Sequence, residues 1–307
     1  MFEALSVGPA IIWTRAVFLL LGIWFTTEFF LRLAASANLS LQHFREHSVK
    51  FFFAFILFGR LFAVISQYRV YMRDPLRLFV IWDGGFSFIG AVVGIGVVIY
   101  WVTRLHRSTF LQWLDVLLPA AIFGSAFDWF GKFAAGQAYG KPTDMPWAVT
   151  YDAISVRYTV PIHPVQLYYA FVFLALTFLL LVIRKHSSRA GSETFVGIFL
   201  ASAFTFLFEY FRGDFSIPVF ATRIDFLVLI TLFLSLGLFS AIELRLSQKS
   251  LLIYEALLIA VFGGYMICRQ WLPFATFELR FSQFLAVLSF LATVVYVVVH
   301  RRKYPNL

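Results

Sequence analysis

Residues 164–183 read PVQLYYAFVFLALTFLLLVI, 20 positions without a charged side chain. A helix rises 1.5 Å per residue, so this run covers the roughly 30 Å of a bilayer's hydrocarbon. Comparable runs lie near 10–31, 51–67, 86–103, 110–130, 195–211, 226–242, 251–267 and 281–299, nine in all. The run 51–67 is short and 110–130 carries charge. The 307-residue chain is 61% hydrophobic and only 13% charged, about half the charge of a soluble domain. Strands of an outer-membrane barrel would alternate in polarity with period two, and these runs do not. The pattern predicts an all-α polytopic membrane protein.

The formal charge is +9, but the basic residues sit in short loops, where topology and anionic headgroups account for them. No basic, aromatic-interleaved domain is present, so no nucleic acid is expected as a partner. The single cysteine, Cys268, rules out an internal disulfide framework. The six histidines are scattered without metal-ligand spacing, and neither a metal nor a cofactor is expected. The leader MFEALSVGPAIIW lacks a basic n-region and a cleavage site, so the first span reads as retained.

Lys and Arg set the orientation. Arg32, Arg45, Lys50, Arg104, Arg107, the 184–189 stretch, Arg245, Lys249 and the tail 301–303 place 13 positive residues on one side, against 10 in the opposite loops. The N-terminus is therefore expected outside and the C-terminus in the cytoplasm. The one long loop, 131–163, then forms a small outer head. Arg60, Asp83, Asp128, His163, Glu209 and Arg212 fall near the same leaflet. Charges at membrane depth cost about 3 kcal/mol and face a partner or a watery cavity. Structural ion pairs, such as Arg60 with Glu209, and a headgroup site both fit.

Several motifs lie at that depth. WDGGFSFIGA (82–91) offers Asp83 as a helix cap, Gly84 and Gly85 for close backbone approach, and Gly90 with Gly94 as a small face for helix contact. GKFAAGQAYGKPTDMPWAV (131–149) holds Lys132, Gly140 and Lys141, suited to an anion, or forms an interfacial turn anchored by Trp147. PIHPVQLYY (161–169) brings His163, either a general base or a structural histidine, with Gln166 and Tyr168 near the surface. FEYFRGD (208–214) sets Glu209 and Arg212 three apart, to pair with each other or to hold a phosphate.

In order and spacing these segments, with SVGPAIIW (6–13), FGRLF (58–62) and DPLRLFVIWDGGFSF (74–88), resemble the prolipoprotein diacylglyceryl transferases over residues 5–245. The resemblance implies a bacterial inner-membrane body of seven helices at 1–245 with a periplasmic head, beyond which residues 246–307 add two apolar spans that the family pattern does not include. It also implies transfer of diacylglyceryl from phosphatidylglycerol to the lipobox cysteine of a preprolipoprotein. The substrate's thiol is then the nucleophile, and the protein supplies a cationic cradle for the phosphate. Arg60, Asp83, Gly84, Gly85, Gly140, Gln166, Tyr168, Glu209 and Arg212 are the matching site positions, with His163 and Glu209 the catalytic candidates.

The chain departs from the family pattern where charge and protons are handled. The family's histidine in SFHGG falls on Ile89. Its two arginines fall on Trp129 and Thr205, an acidic position on Gln137, an asparagine on Lys132 and a tyrosine on Thr14. Arg15 and Lys132 are cations gained beside those lost, and either rebuild the cradle or, for Arg15, snorkel to headgroups. Three readings follow: a transferase, a silent paralogue that binds phospholipid or lipoprotein, and a lipid transporter on the same scaffold.

Overall fold

The computed structural model describes residues 4–7, 10–66, 71–72, 74–76, 87–103, 107–151, 156–187, 190–214, 218–222 and 276–303, with scattered positions between 253 and 267. Two units are distinguished, Met1–Ile217 and Pro218–Leu307. The expected domain boundary near 245 and the spans 226–242 and 251–267 lie on or largely on residues outside those described.

The first unit opens with a ribbon of β1 (Ala4–Val7) and β2 (Ala10–Trp13), antiparallel with Ala4 opposite Trp13. Helices follow: α1 (Thr14–Ser36), α2 (Gln42–Glu46), α3 (Ser48–Ser66), α4 (Phe88–Thr103), α5 (Arg107–Ala134), α6 (Val165–His186) and α7 (Ser192–Phe211). Five of them, α1, α3, α5, α6 and α7, contain stretches long and apolar enough to cross a membrane. The chain is an all-α, multi-pass membrane protein in which, among the described residues, strands form only two short ribbons.

Two boundaries differ from the sequence expectation. The first helix starts at Thr14 instead of near residue 10, because the β-branched and aromatic run Ile11-Ile12-Trp13 pairs with a strand. The head starts four residues later than 131, because Gly131–Ala134 complete α5. Proline inside a helix ordinarily breaks it, yet α5 continues through Pro119, which is fully buried among α5's neighbours.

Helix α5 is central and packs against α1, α4, α6 and α7, while α3 and α4 form a hairpin. The hairpin closes on Gly90 and Gly94, as their spacing predicts. A Cβ at Gly90 would lie 2.5 Å from the Phe58 carbonyl, and one at Gly94 2.6 Å from that of Ala54. Ser87 Oγ accepts the Gly90 N–H at 3.3 Å and so caps α4. Asp83, the cap expected from sequence, lies outside the described residues. At one end of the helices, Phe30, Phe44, Phe51, Ile99 and Trp113 form a core joining α1 to α5. There Asp115 caps α7 from a neighbouring helix, accepting the N–H groups of Gly191 and Thr194 and the Thr194 hydroxyl at 2.5, 2.9 and 2.7 Å. A carboxylate there also meets the positive end of the helix dipole. That cap fixes the direction of a helix whose far end carries Glu209.

In the second unit, β3 (Pro218–Thr222) pairs antiparallel with β4 (Thr276–Arg280), and α8 (Phe281–Lys303) follows at once.

Candidate functional site

The opposite end of the first unit gathers the start of α1, the end of α5, the head, the start of α6 and the end of α7. The head folds on its own small core of Tyr139, Tyr151, Val156 and Ile162. Burial pushes the Tyr151 phenol above its usual range. Backbone bonds braid the head to the helix ends: Lys141 N–H to Phe211 carbonyl at 2.8 Å, Gly213 N–H to Tyr139 carbonyl at 2.8 Å, His163 N–H to Lys141 carbonyl at 3.0 Å. Gly140 sits inside this braid, where any Cβ would strike the His163 carbonyl, and a Cβ at Gly213 would strike Gly140. Three segments distant in sequence thus meet with no room for a methyl group.

Beside the braid, Arg212 donates to Glu209 Oε1 at 2.5 Å and grips Asp214 bidentately at 3.0 and 2.6 Å. Burial opposes its charge, but Glu209 and Asp214 outweigh that and hold it a cation. Glu209 is buried and also accepts the Tyr169 hydroxyl at 3.2 Å. Glu209 therefore pairs along its own helix end. The guanidinium of Arg60 lies 5.2 Å from the Tyr71 ring.

A second cluster forms around Asp128. Lys132 reaches one carboxylate oxygen at 2.6 Å and Arg15 the other at 3.8 Å. Arg15 also donates to Gln137 Oε1 at 2.6 Å. The Lys132 ammonium stands 4.1 Å above the Trp129 ring. Trp129 stacks on Tyr169 with centroids 3.9 Å apart and planes 3° from parallel. Trp129 is thus in contact with both the Tyr169 ring and the Lys132 ammonium. Tyr169 Oη lies equally close, 3.2 Å, to the Thr205 carbonyl, so its single hydrogen is shared between that carbonyl and Glu209. Arg15, Trp129, Lys132 and Gln137, four of the positions where the resemblance implies a departure, thus belong to one connected set.

Gln166 is fully buried and donates to the Gln137 carbonyl at 2.7 Å. Tyr168 Oη lies 2.7 Å from Trp147 Nε1 and 3.1 Å from His163 Nδ1. Burial lowers the His163 pKa. Ile89 lies in the first turn of α4, and Asp83, Gly84 and Gly85 fall outside the described residues. Asp128, weighed from sequence only as one of the charges at that leaflet, and Asp214 and Tyr169, which were not site candidates, complete the two clusters. Of these, only Asp128 carried a local signal, its i,i+4 spacing to Lys132.

Residues 3–299 match the family described as prolipoprotein diacylglyceryl transferase. The chain is 37% identical over 114 residues to a phosphatidylglycerol–prolipoprotein diacylglyceryl transferase of Polynucleobacter necessarius subsp. necessarius, covering 37% of this chain and 42% of that protein. It is 34% identical over 166 residues to the protein of that name from Photobacterium profundum, covering 52% and 60%. With the Glaesserella parasuis protein of that name it shares 32% over 215 residues, 68% and 79% of the two chains. The matched part thus spans less than two thirds of the first two relatives.

Proposed function

The chain belongs to the prolipoprotein diacylglyceryl transferase family, and on that premise we propose that it moves diacylglyceryl from phosphatidylglycerol to the lipobox cysteine of preprolipoproteins. In this reaction the cysteine sulfur bonds to the glyceryl carbon and the carbon–oxygen bond to phosphate breaks. Glycerol phosphate leaves, and the thiol proton ends on the departing phosphate. Ile89 cannot take that proton in passing, so the protein's share is to bind the lipid and stabilise the leaving charge.

The observation that carries the reading is the convergence of Arg15 and Lys132 on Asp128, beside the Trp129 that stands in an arginine's place. Two cations and one carboxylate leave the cluster one positive charge in excess. A donor aimed at a developing oxyanion is worth 10²–10³ in rate. Arg60, Asp83, Gly84, Gly85, Gly140, Gln166, Tyr168, Glu209 and Arg212 complete the proposed headgroup site. The proposal places the protein in the bacterial inner membrane, N-terminus periplasmic and C-terminus cytoplasmic. Residues 246–307 form an extension to the body.

Complementation in a strain depleted of its own transferase tests the reading. Rescue by the wild-type chain, lost in Arg15→Ala and Lys132→Ala, is the expected result; failure of a well-expressed chain rejects it. A second reading, a silent phospholipid-binding paralogue, draws on Trp129 engaged by Tyr169 and Lys132 and on Arg212 already neutralised by two carboxylates. It predicts failed complementation with retained phosphatidylglycerol binding.

A further inference from the structure

We propose that His163 acts as a fixed hydrogen-bond donor, through Nε2–H, to a phosphate or glyceryl oxygen of a phosphoglyceride headgroup, with Trp147 and Tyr168 as the residues that set its tautomer. The inference rests on the headgroup-binding part of the function proposed above, and it removes His163 from the role of general base.

The argument starts from the donor and acceptor inventory. Tyr168 Oη sits between Trp147 Nε1 at 2.7 Å and His163 Nδ1 at 3.1 Å. An indole nitrogen only donates, whereas a phenol has one hydrogen to give. Trp147 gives the hydroxyl no acceptor, and among the described residues Nδ1 is the acceptor within reach, so on this proposal the phenol hydrogen goes to Nδ1. A neutral imidazole carries one proton, which then resides on Nε2.

The surroundings favour the neutral ring. Its described contacts are the Tyr168 hydroxyl, the Phe211 ring at 5.2 Å and backbone, and none bears negative charge. Imidazolium gains nothing from such neighbours. The backbone that carries the ring is fixed, because the His163 N–H is bound by the Lys141 carbonyl and Gly140 closes against the His163 carbonyl. Among the described residues no hydrogen bond engages Nε2. Its setting identifies the ligand class: Tyr168 lies in the first turn of a membrane-crossing helix, and Trp147 is 55% exposed. Amphipathic rings of this kind mark the headgroup layer.

The test uses the full chain, labelled with ¹⁵N-histidine, in nanodiscs of phosphatidylcholine, of phosphatidylglycerol, and of phosphatidylcholine with added inorganic phosphate. Near neutral pH the His163 signal is expected to report a bare Nδ1 and a protonated Nε2. Tyr168→Phe should convert it to a tautomer mixture, with the other histidine signals unchanged. Phosphatidylglycerol should shift Nε2; a response to inorganic phosphate as well assigns the contact to phosphate, and a response to the lipid alone to the whole headgroup. Phosphatidylglycerol affinity should fall about tenfold in His163→Leu and stay within about threefold in His163→Gln, whose amide donates but does not titrate. An Nδ1–H tautomer, an imidazolium, a silent Nε2, or equal losses in His163→Gln and His163→Leu would overturn the proposal. Failed complementation with the expected spectra rejects the transferase reading alone.

Discussion

Neutralising Asp128 should strengthen the binding of an anionic headgroup. Its carboxylate is the counter-ion of both gained cations, at 2.6 Å from Lys132 and 3.8 Å from Arg15. Asp128→Asn raises the local charge from one to two positive units and removes the protein's own competitor for a phosphate. Unit charges about 4 Å apart interact by about 4 kcal/mol at an effective dielectric constant near 20. The Arg15 side chain is 39% exposed and that of Lys132 22%, so water and salt reduce this to about 1 kcal/mol. A fivefold gain in affinity corresponds to that energy. The assay is phosphatidylglycerol binding in nanodiscs at low and high salt, with phosphatidylcholine as the reference. Asp128→Asn should bind more tightly, the gain should shrink in high salt, and Asp128→Asn combined with Lys132→Ala should lose it. Unchanged or weaker binding by a folded Asp128→Asn protein would refute Asp128 as a stand-in for phosphate.

Gly140→Ala should destabilise the head by about 1–3 kcal/mol, because its methyl group meets the His163 carbonyl and overpacking has that order of cost; faster proteolysis within 135–163 is the readout. Asp115→Ala should cost a similar amount by orphaning the α7 N–H groups of Gly191 and Thr194, seen as a lower Tm in detergent. The lowered pKa of His163, caused by burial, means that the folded state favours the neutral ring. Its contribution is therefore complete above the unfolded value near 6.5 and is lost as pH falls from there through the folded value. Protonation also ends acceptance from Tyr168. The pH dependence of stability in wild type and His163→Gln should separate below that value.

The membrane body was legible because each span is a contiguous signal: about 20 apolar residues force a helix whatever surrounds them. The Gly90 and Gly94 face was legible for the same reason, since their spacing fixes where a neighbour approaches. The ribbon before α1 was hidden, because an apolar run looks alike as strand and as helix when both are short. Asp128 with Lys132 could be anticipated from i,i+4 spacing, but Arg15 with Gln137 spans 122 positions and depends on α1 packing against α5. The Asp115 cap is equally non-local, 76 positions from Gly191. The His163–Tyr168 contact is local, yet the direction of its hydrogen bond required Trp147, 21 positions away.

The connected departures bear on whether the site is remodelled or eroded. Contiguity alone is weak support, because residues that serve one chemistry lie together before any of them changes. The satisfaction of their contacts carries more. A guanidinium lost from a partly buried position ordinarily leaves a void or an orphaned carboxylate, either of which costs stability. At the position where the resemblance implies an arginine, Trp129 stacks on Tyr169, and Asp128 has two cations, Lys132 and Arg15. The Gln137 oxygen, at the position where the resemblance implies a negative charge, receives an Arg15 N–H. On the proposed reading, cations stand close to the positions where the resemblance implies lost charge, which a site retained for an anionic ligand requires and an eroded one does not.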